Sequence, residues 1–136
     1  SMKFNKYYTV AANVGYTYGR FREDNSLVPL DHVPPLYGRF SVSYAKDKLS
    51  LDLFTLFNGA KKLKNYNPSG EDNLKFALAN GTPSWYSINF RSNYEINKSF
   101  SAQVGVDNIL DRNYRHFASG ISASGRSFII SLRHAY

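Results

Sequence analysis

The closing stretch of the chain alternates between apolar and polar side chains, apart from Ile129, and this pattern constrains the fold more than any other feature. Such alternation is typical of a β-strand whose two faces meet unlike environments. The stretch also finishes on an aromatic residue that is in phase with the apolar face. The apolar face carries Phe128, Ile130, Leu132, His134 and Tyr136, and the other face carries Ser127, Ser131 and Arg133.

The composition is that of one folded domain or a piece of one. The 136 residues are 43% hydrophobic and include 11 Tyr and 10 Phe, which excludes a disordered chain. No apolar run approaches the roughly 18 residues of a transmembrane helix. A membrane is still compatible with the sequence, because barrel strands turn only half of their residues toward lipid.

Charge and chemistry exclude several classes of function. The net charge is +7, but the basic residues are scattered and form no basic helix or stripe, so we expect no nucleic-acid partner. There is no cysteine, and no two of the three histidines stand at ligand spacing. The segment 120–124 lacks the last glycine of a nucleophile elbow. We therefore predict no enzyme and no catalytic, cofactor or metal site.

Six strand-like runs follow one another with almost no helical pattern. Their connections alternate between tight turns and the long loops 22–35, 59–83 and 109–125. This order predicts an all-β fold, an antiparallel up-and-down meander of about six strands. The runs are 6–21, 36–45, 48–58, 84–96, 100–108 and 126–136.

Strand parity predicts the register of the two tight hairpins. A loop of two residues at Lys46-Asp47 explains why the apolar side chains have even residue numbers before it and odd numbers after it. A loop of three residues at 97–99 explains why they have even numbers on both sides. The first hairpin then pairs Tyr44 with Leu49, Val42 with Leu51 and Phe40 with Leu53. The second pairs Ile96 with Phe100, Tyr94 with Ala102 and Phe90 with Val106, and sets Arg91 opposite Gly105, one diagonal step from Asp107.

Short turns at one end and long loops at the other are typical of a bacterial outer-membrane barrel, whose long loops lie outside the cell. Tyr and Phe also cluster toward the strand ends, as aromatic girdles at two membrane interfaces do. We interpret the polar Asp107, Asn108, Asp111 and Asn113 as Asx turns that shape the last long loop rather than as a calcium loop.

The segment 106–114, followed by Gly120 and Ser124-Gly125-Arg126, resembles the C-terminus of TonB-dependent outer-membrane receptors. That family commonly shows an Asn-Leu-Phe-Asp-x-x-Tyr stretch, a Pro-Gly-Arg before the last strand and a terminal Phe. Val33-Pro34-Pro35 also resembles the Pro-Pro that begins a descending strand in the family. The departures here are Ile109-Leu110 for Leu-Phe, Ser124 for Pro and Tyr136 for Phe.

The resemblance implies that residues 3–136 are the last strands of a plugged transmembrane barrel of about 22 strands, with plug and TonB-contacting segment upstream. Ser1-Met2 is interpreted as a cloning remnant. The family imports ferric siderophores, haem, cobalamin or oligosaccharides with energy from the inner membrane. We thus expect an outer-membrane location, a periplasmic C-terminus, and lipid, plug, TonB and an iron chelate as partners. Tyr136 is expected to signal to the barrel-assembly machinery, or else to anchor at the interface.

Two sets of side chains are candidates for the site. Aromatic residues of the long loops form a candidate ligand platform, although girdle or loop packing, and solvation of the histidine, explain them too. Four polar residues are predicted to face the barrel lumen, where Arg91 has Asp107 or Glu95 as a candidate partner. The loop set is Tyr66, Trp85, Tyr114, His116 and Phe117, and the lumen set is Arg39, Arg91, Asp107 and Arg133.

Alternative folds remain open at this point. A soluble antiparallel β-barrel that binds an apolar ligand has the same alternation, but it turns the apolar face inward and the polar face outward. An adhesive β-sheet protein is a third class. As an isolated segment, the meander has to close on itself or self-associate, because it exposes an apolar face and two edges.

Overall fold

A computed structural model of the chain describes residues 1–70 and 74–135. Two short 3-10 helical turns, Leu63–Asn65 and Leu74–Phe76, interrupt an otherwise all-β chain. No helix within the described ranges is long and apolar enough to cross a membrane. The strands are β1 Met2–Lys3, β2 Tyr8–Gly15, β3 Arg20–Glu23, β4 Ser26–Pro29, β5 Tyr37–Lys46, β6 Leu49–Asn58, β7 Trp85–Glu95, β8 Phe100–Asp107 and β9 Ser127–His134.

Seven strands form one antiparallel sheet in the order β1-β2-β5-β6-β7-β8-β9. Strands β3 and β4 pair only with each other and form a separate hairpin in the first long loop. The predicted all-β meander is therefore confirmed. The sheet is open, and β1 and β9 are its two edges.

The first predicted run, 6–21, is wrong in its extent. Strand β2 ends at Gly15, opposite Tyr37, and the chain leaves the sheet before β3 begins at Arg20. The partner strand cannot continue past Tyr37 because Pro34 and Pro35 have no N–H to donate to a ladder. A two-residue turn with positive φ at Asp24 and Asn25 then closes the β3–β4 hairpin.

The observed register of the first tight hairpin differs from the predicted register by two residues. Lys46 pairs with Leu49, so the turn is Asp47-Lys48 rather than Lys46-Asp47. Asp47 adopts a φ of 50°, a left-handed conformation that Asp tolerates better than Lys. The apolar and polar faces are as predicted because the shift is even. The observed pairs are Tyr44 with Leu51, Val42 with Leu53 and Phe40 with Thr55.

The register of the second hairpin is confirmed where both partners lie in strands. Arg91 is opposite Gly105, and Tyr94 and Phe90 face Ala102 and Val106. Ile96 lies beyond the end of β7, and the loop closes instead through a hydrogen bond from the Asn97 N–H to the Phe100 carbonyl. The hairpin loop is thus one residue longer than predicted.

The burial of the two faces is the reverse of that in a soluble β-sheet protein. On the polar face Ser87 is fully buried and Asn89 is only 4% exposed. On the apolar face of β9, Ile130 is 81% exposed and Leu132 is 75% exposed. The sheet therefore exposes much of its apolar face, whereas polar side chains of β7 near the loop end are buried.

The buried hydrophobic side chains of the described residues, Tyr66 and Trp85, lie where the long loops meet the sheet. Three loops lie at one end of the meander and are called here loops 1, 2 and 3: residues 16–36, residues 59–70 with 74–84, and residues 108–126. The turns at 47–48 and 96–99 lie at the opposite end. The apolar core of this chain is thus in its loop layer.

Candidate functional site

The three long loops are joined by one lysine. Lys61 of loop 2 is 4% exposed and donates from Nζ to the Val33 carbonyl of loop 1 at 2.9 Å. Its Nζ lies 3.9 Å from the ring centroid of Phe117 in loop 3 and 4.9 Å from that of Tyr66. Such cation–π contacts stabilise a charge most strongly when water is excluded.

The sequence alone does not identify Lys61, which is one of the scattered basic residues of the chain. Neither its spacing nor its neighbours Lys62 and Lys64 distinguish it, because its partners lie 28 and 56 residues away in the sequence. The backbone of Lys61, near the start of loop 2, also forms an antiparallel bridge with Thr82 near the end of that loop. The burial of Lys61 depends on tertiary structure alone.

The five aromatic candidates form two groups of ring contacts at the loop end of the sheet, together called here the aromatic cluster. Trp85 stacks on Tyr114 with ring centroids 4.1 Å apart and an interplanar angle of 23°. His116 meets the edge of Trp85 at 4.7 Å, and Phe117 meets Tyr66 at 5.8 Å. Within the described residues, the Trp85 Nε1 has no hydrogen-bond partner although it is buried.

A cavity of about 210 Å³ opens beside the aromatic cluster. Tyr66, Tyr114 and His116 contribute to its wall, so the cavity links the two parts of the cluster. Arg115 also lines it and donates to the Phe76 carbonyl at 3.3 Å. Aromatic faces, a cation and an imidazole in one concave wall suit a small organic ligand with planar and anionic groups. The remaining wall is formed by Phe76, Ala77, Leu78, Thr82, Pro83, Asn113, Ala118, Ser119 and Ser122.

Asn108 fixes the base of loop 3. Its side chain is 2% exposed, donates to the carbonyls of Arg112 and Ser124, and accepts from the Arg112 N–H at 3.1 Å. Asp111 similarly accepts from the Arg126 N–H at 2.7 Å. Both residues have positive φ. The side chains of Asn108 and Asp111 thus shape the last long loop, but they do so through bonds to backbone N–H groups four and fifteen residues ahead rather than through the predicted Asx turns.

The hydrogen bonds of Asn108 connect the loop to the polar face of the sheet. Its backbone N–H donates to the Asn89 side chain at 3.0 Å, and Asn89 in turn donates to the Ser87 hydroxyl. This chain of buried bonds positions the residues of loop 3 relative to β7. Trp85 stands two residues before Ser87, on the same face of that strand.

The lumen candidates on the polar face form ion pairs where carboxylates are near. Arg91 pairs with Asp107 at 2.8 Å, which is one of the two partners considered from the sequence. Arg39 pairs with Asp52, whose other oxygen accepts from the Ser43 hydroxyl at 2.7 Å. Asp52 was not a candidate, although its parity places it on the face of Arg39.

The closing strand contains two further candidates, Arg133 and Tyr136, of which the structure describes Arg133. Arg133 is exposed at the turn end, beside a polar hollow that Asn93, Glu95 and Gln103 also line. Tyr136 lies outside the described residues, so its role as an assembly signal stays a prediction. The neighbouring His134 pairs with Phe100, with ring centroids 4.5 Å apart.

The described residues include no group of three or more His, Cys, Asp or Glu side chains that could hold a metal ion. The site is therefore characterised by its aromatic rings, its cavity and its two cations, Lys61 and Arg115. Such an arrangement can bind and orient a ligand at the loop end of the sheet.

Comparison with known proteins gives a family and a fold. A family model described as "TonB dependent receptor-like, beta-barrel" matches residues 1–109. No curated protein matches the chain. Twenty-six chains of solved structures do match. One of them, "Copper transporter OprC", has a TM-score of 0.80 and 16% sequence identity over 98% of this chain.

The match covers 22% of the OprC chain, so this chain spans about a fifth of the length of that relative. At 16% identity the likeness concerns the fold. The family is one of receptors and the relative is named a transporter, which fits the prediction that the chain is not an enzyme.

Proposed function

This chain belongs to the family of TonB-dependent receptor-like β-barrels, and we propose from that premise that it is a wall segment of an outer-membrane nutrient transporter. The resemblance seen in residues 106–126 is confirmed as to the family. The family model itself matches residues 1–109, so the two indications overlap little in sequence. The segment forms part of a wide barrel that surrounds a plug.

The observation that carries the proposal is the inverted burial of the sheet. The side chains of Phe128, Ile130 and Leu132 are each more than 70% exposed, whereas Ser87 and Asn89 are buried. A soluble barrel that binds an apolar ligand requires the opposite arrangement. A sheet whose apolar side faces lipid and whose polar side faces a lumen accounts for both observations.

The orientation in the membrane follows from the loop asymmetry. Loops 1, 2 and 3 are extracellular in the proposed arrangement, and the turns at 47–48 and 96–99 are periplasmic. A substrate held by the aromatic cluster is then at the outer mouth of the barrel. Its passage inward depends on the plug and on energy transmitted by TonB.

The proposed cargo is a scarce nutrient carried as an organic complex, such as a ferric siderophore. The supporting features are the Trp85–Tyr114 stack, the adjacent cavity and the cation of Arg115 at its wall. Planar aromatic groups of a ligand stack on such rings, and anionic groups pair with arginine. Copper, for which the related transporter OprC is named, is the alternative cargo that the test has to distinguish.

The cargo is tested by uptake assays on the complete receptor that carries this segment. We expect uptake of a radiolabelled ferric siderophore that an uncoupler of the proton gradient abolishes. Tyr114→Ala should weaken siderophore binding by about tenfold or more, as the loss of a stacked aromatic anchor does. Tyr94→Ala, which removes an exposed tyrosine at the turn end, is the matched control.

Copper uptake that responds to Tyr114→Ala, with siderophore uptake unchanged, would overturn the proposed cargo while leaving the transporter in place. The orientation is tested separately with a membrane-impermeant thiol reagent on intact cells, since the chain has no cysteine of its own. Lys64→Cys in loop 2 should react, and Lys98→Cys in the periplasmic turn should not. The reverse result contradicts the orientation.

A further inference from the structure

The turn end of the sheet is strongly basic. Its segments 1–7, 46–48, 95–99 and 133–135 contain six lysines and arginines but only two carboxylates. Apart from Arg133, which is a lumen candidate, the proposed lumen and loops do not use these cations. The basic residues are Lys3, Lys6, Lys46, Lys48, Lys98 and Arg133, and the acidic residues are Asp47 and Glu95.

Two of these lysines lie against one tyrosine. The Nζ atoms of Lys6 and Lys46 lie 4.9 Å and 5.5 Å from the ring centroid of Tyr7. The Tyr7 ring also approaches that of Tyr44, with centroids 6.2 Å apart, and Tyr8 approaches Tyr44 at 5.0 Å. Two positive charges thus contact the same tyrosine ring at the turn end of the sheet.

A shallow hollow of about 340 Å³ lies beside this platform. Its base is Leu49, which is paired with Lys46 on one side and with Tyr94 on the other, all on the apolar face. Lys48 lies at the rim and donates to the Ile96 carbonyl at 2.9 Å, which leaves its other N–H groups for a ligand. The carboxylate of Asp47 at the same rim offsets only part of the charge.

The hollow is continuous with the apolar surface that the strands expose. Leu51 and Leu53 follow Leu49 on the same face of β6, toward the loop end of the sheet. Leu53 is 49% exposed. A ligand at this place therefore meets cations and phenols at one end and a row of leucines along its length.

We propose that this hollow binds the head group of an anionic phospholipid, with the phosphate between Lys46 and Lys48 and an acyl chain along Leu51 and Leu53. The inference rests on the proposed function, because it requires the apolar face to be in a membrane. Lysine and tyrosine at the end of an apolar strand row match the chemistry of a lipid head group, since each has an apolar body and a polar tip. The site is thus a specific lipid contact on the periplasmic side.

The test measures phospholipid retained by the complete receptor in detergent, by native mass spectrometry with phosphatidylglycerol as the probe. The double variant Lys46→Gln/Lys48→Gln should bind phosphatidylglycerol about 30-fold more weakly, and each single variant about 5-fold, as expected for basic residues near a lipid surface. Lys62→Gln/Lys64→Gln is the matched control, because it removes two lysines at the same spacing from loop 2. The control should bind as the parent does.

Equal retention by the parent and by Lys46→Gln/Lys48→Gln, in a receptor that inserts into vesicles and transports its cargo, would overturn this inference alone. Displacement of the lipid by millimolar inorganic phosphate would also overturn it, since the hollow would then be a free-anion site. A receptor that does not insert into vesicles at all would overturn both the inference and the proposed function. Preferential retention of phosphatidylglycerol over phosphatidylcholine, lost only in the hollow variants, would establish it.

Discussion

Arg91 and Asp107 form an ion pair across β7 and β8, although they are not directly opposite each other in the ladder. The residue opposite Arg91 is Gly105, and the guanidinium reaches diagonally to the carboxylate at 2.8 Å. A Cβ at position 105 would lie 2.8 Å from the Arg91 Cδ. The glycine therefore leaves the space in which the arginine side chain lies along the sheet.

The first prediction concerns the strength of this pair. In a double-mutant cycle with Arg91→Met and Asp107→Asn, we expect a coupling free energy of about 1 kcal/mol, because both side chains are about one-third exposed. Urea unfolding of the refolded protein in lipid vesicles measures it. The cycle Arg133→Met with Asp107→Asn is the control and should show no coupling. A coupling near zero for Arg91 and Asp107 would contradict the pair.

The second prediction concerns the two faces of β9. Ile130→Arg, at the middle of β9, should destabilise the protein folded in a bilayer by about 2–4 kcal/mol, because the charge is placed in hydrocarbon. Ser131→Arg is the matched control on the opposite face and should be tolerated. Folding into liposomes, followed by heat-modifiable electrophoretic mobility, measures both. Equal effects at the two positions would refute the lipid-facing assignment.

The third prediction concerns Asn108. Asn108→Ala should destabilise the protein by about 3 kcal/mol, since it leaves the Arg112 N–H and two carbonyls without their partner and forces alanine into a φ of 50°. Asn108→Gly removes the same bonds without the backbone strain, so it should recover only about 1 kcal/mol. Asn113→Ala, at an exposed position of loop 3, is the control.

Hydrogen exchange of loop 3 measures this effect locally. The amide of Arg112, which donates to the Asn108 side chain, should lose protection in both Asn108 variants and keep it in Asn113→Ala. Full recovery by Asn108→Gly would mean that backbone strain, rather than the hydrogen bonds, determines the effect.

The fourth prediction concerns Lys61. Lys61→Met keeps the length of the side chain but removes the charge that contacts Val33, Tyr66 and Phe117. We expect loops 1 and 3 to become accessible to protease at least tenfold faster, because their common partner is lost. Lys62→Met, at the exposed neighbouring position, should have no effect. Unchanged proteolysis of Lys61→Met would show that the loops pack without this contact.

Much of the sheet follows from the sequence because strand periodicity is a local property. The even spacing of Tyr86, Ile88 and Phe90 predicts their common face, and a short loop leaves few registers for the next strand. The diagonal approach of Arg91 to Asp107 follows from that register. The first tight turn shows the limit, since parity permits both Lys46-Asp47 and Asp47-Lys48, and the preference of Asp47 for positive φ decides between them.

The closing alternation from Ser127 onward thus determined by itself that this protein contains a sheet with one polar and one apolar face. Successive side chains of a strand point to opposite faces, so the order of residues along the strand assigns each side chain to a face. Tertiary structure alone decided which face is buried, where β2 leaves the sheet, and that Lys61 joins three loops. Those outcomes depend on contacts between residues many positions apart, such as Lys61 with Phe117. Sequence periodicity carries no information about such contacts, whereas the packing of loops at one end of a meander brings them within reach.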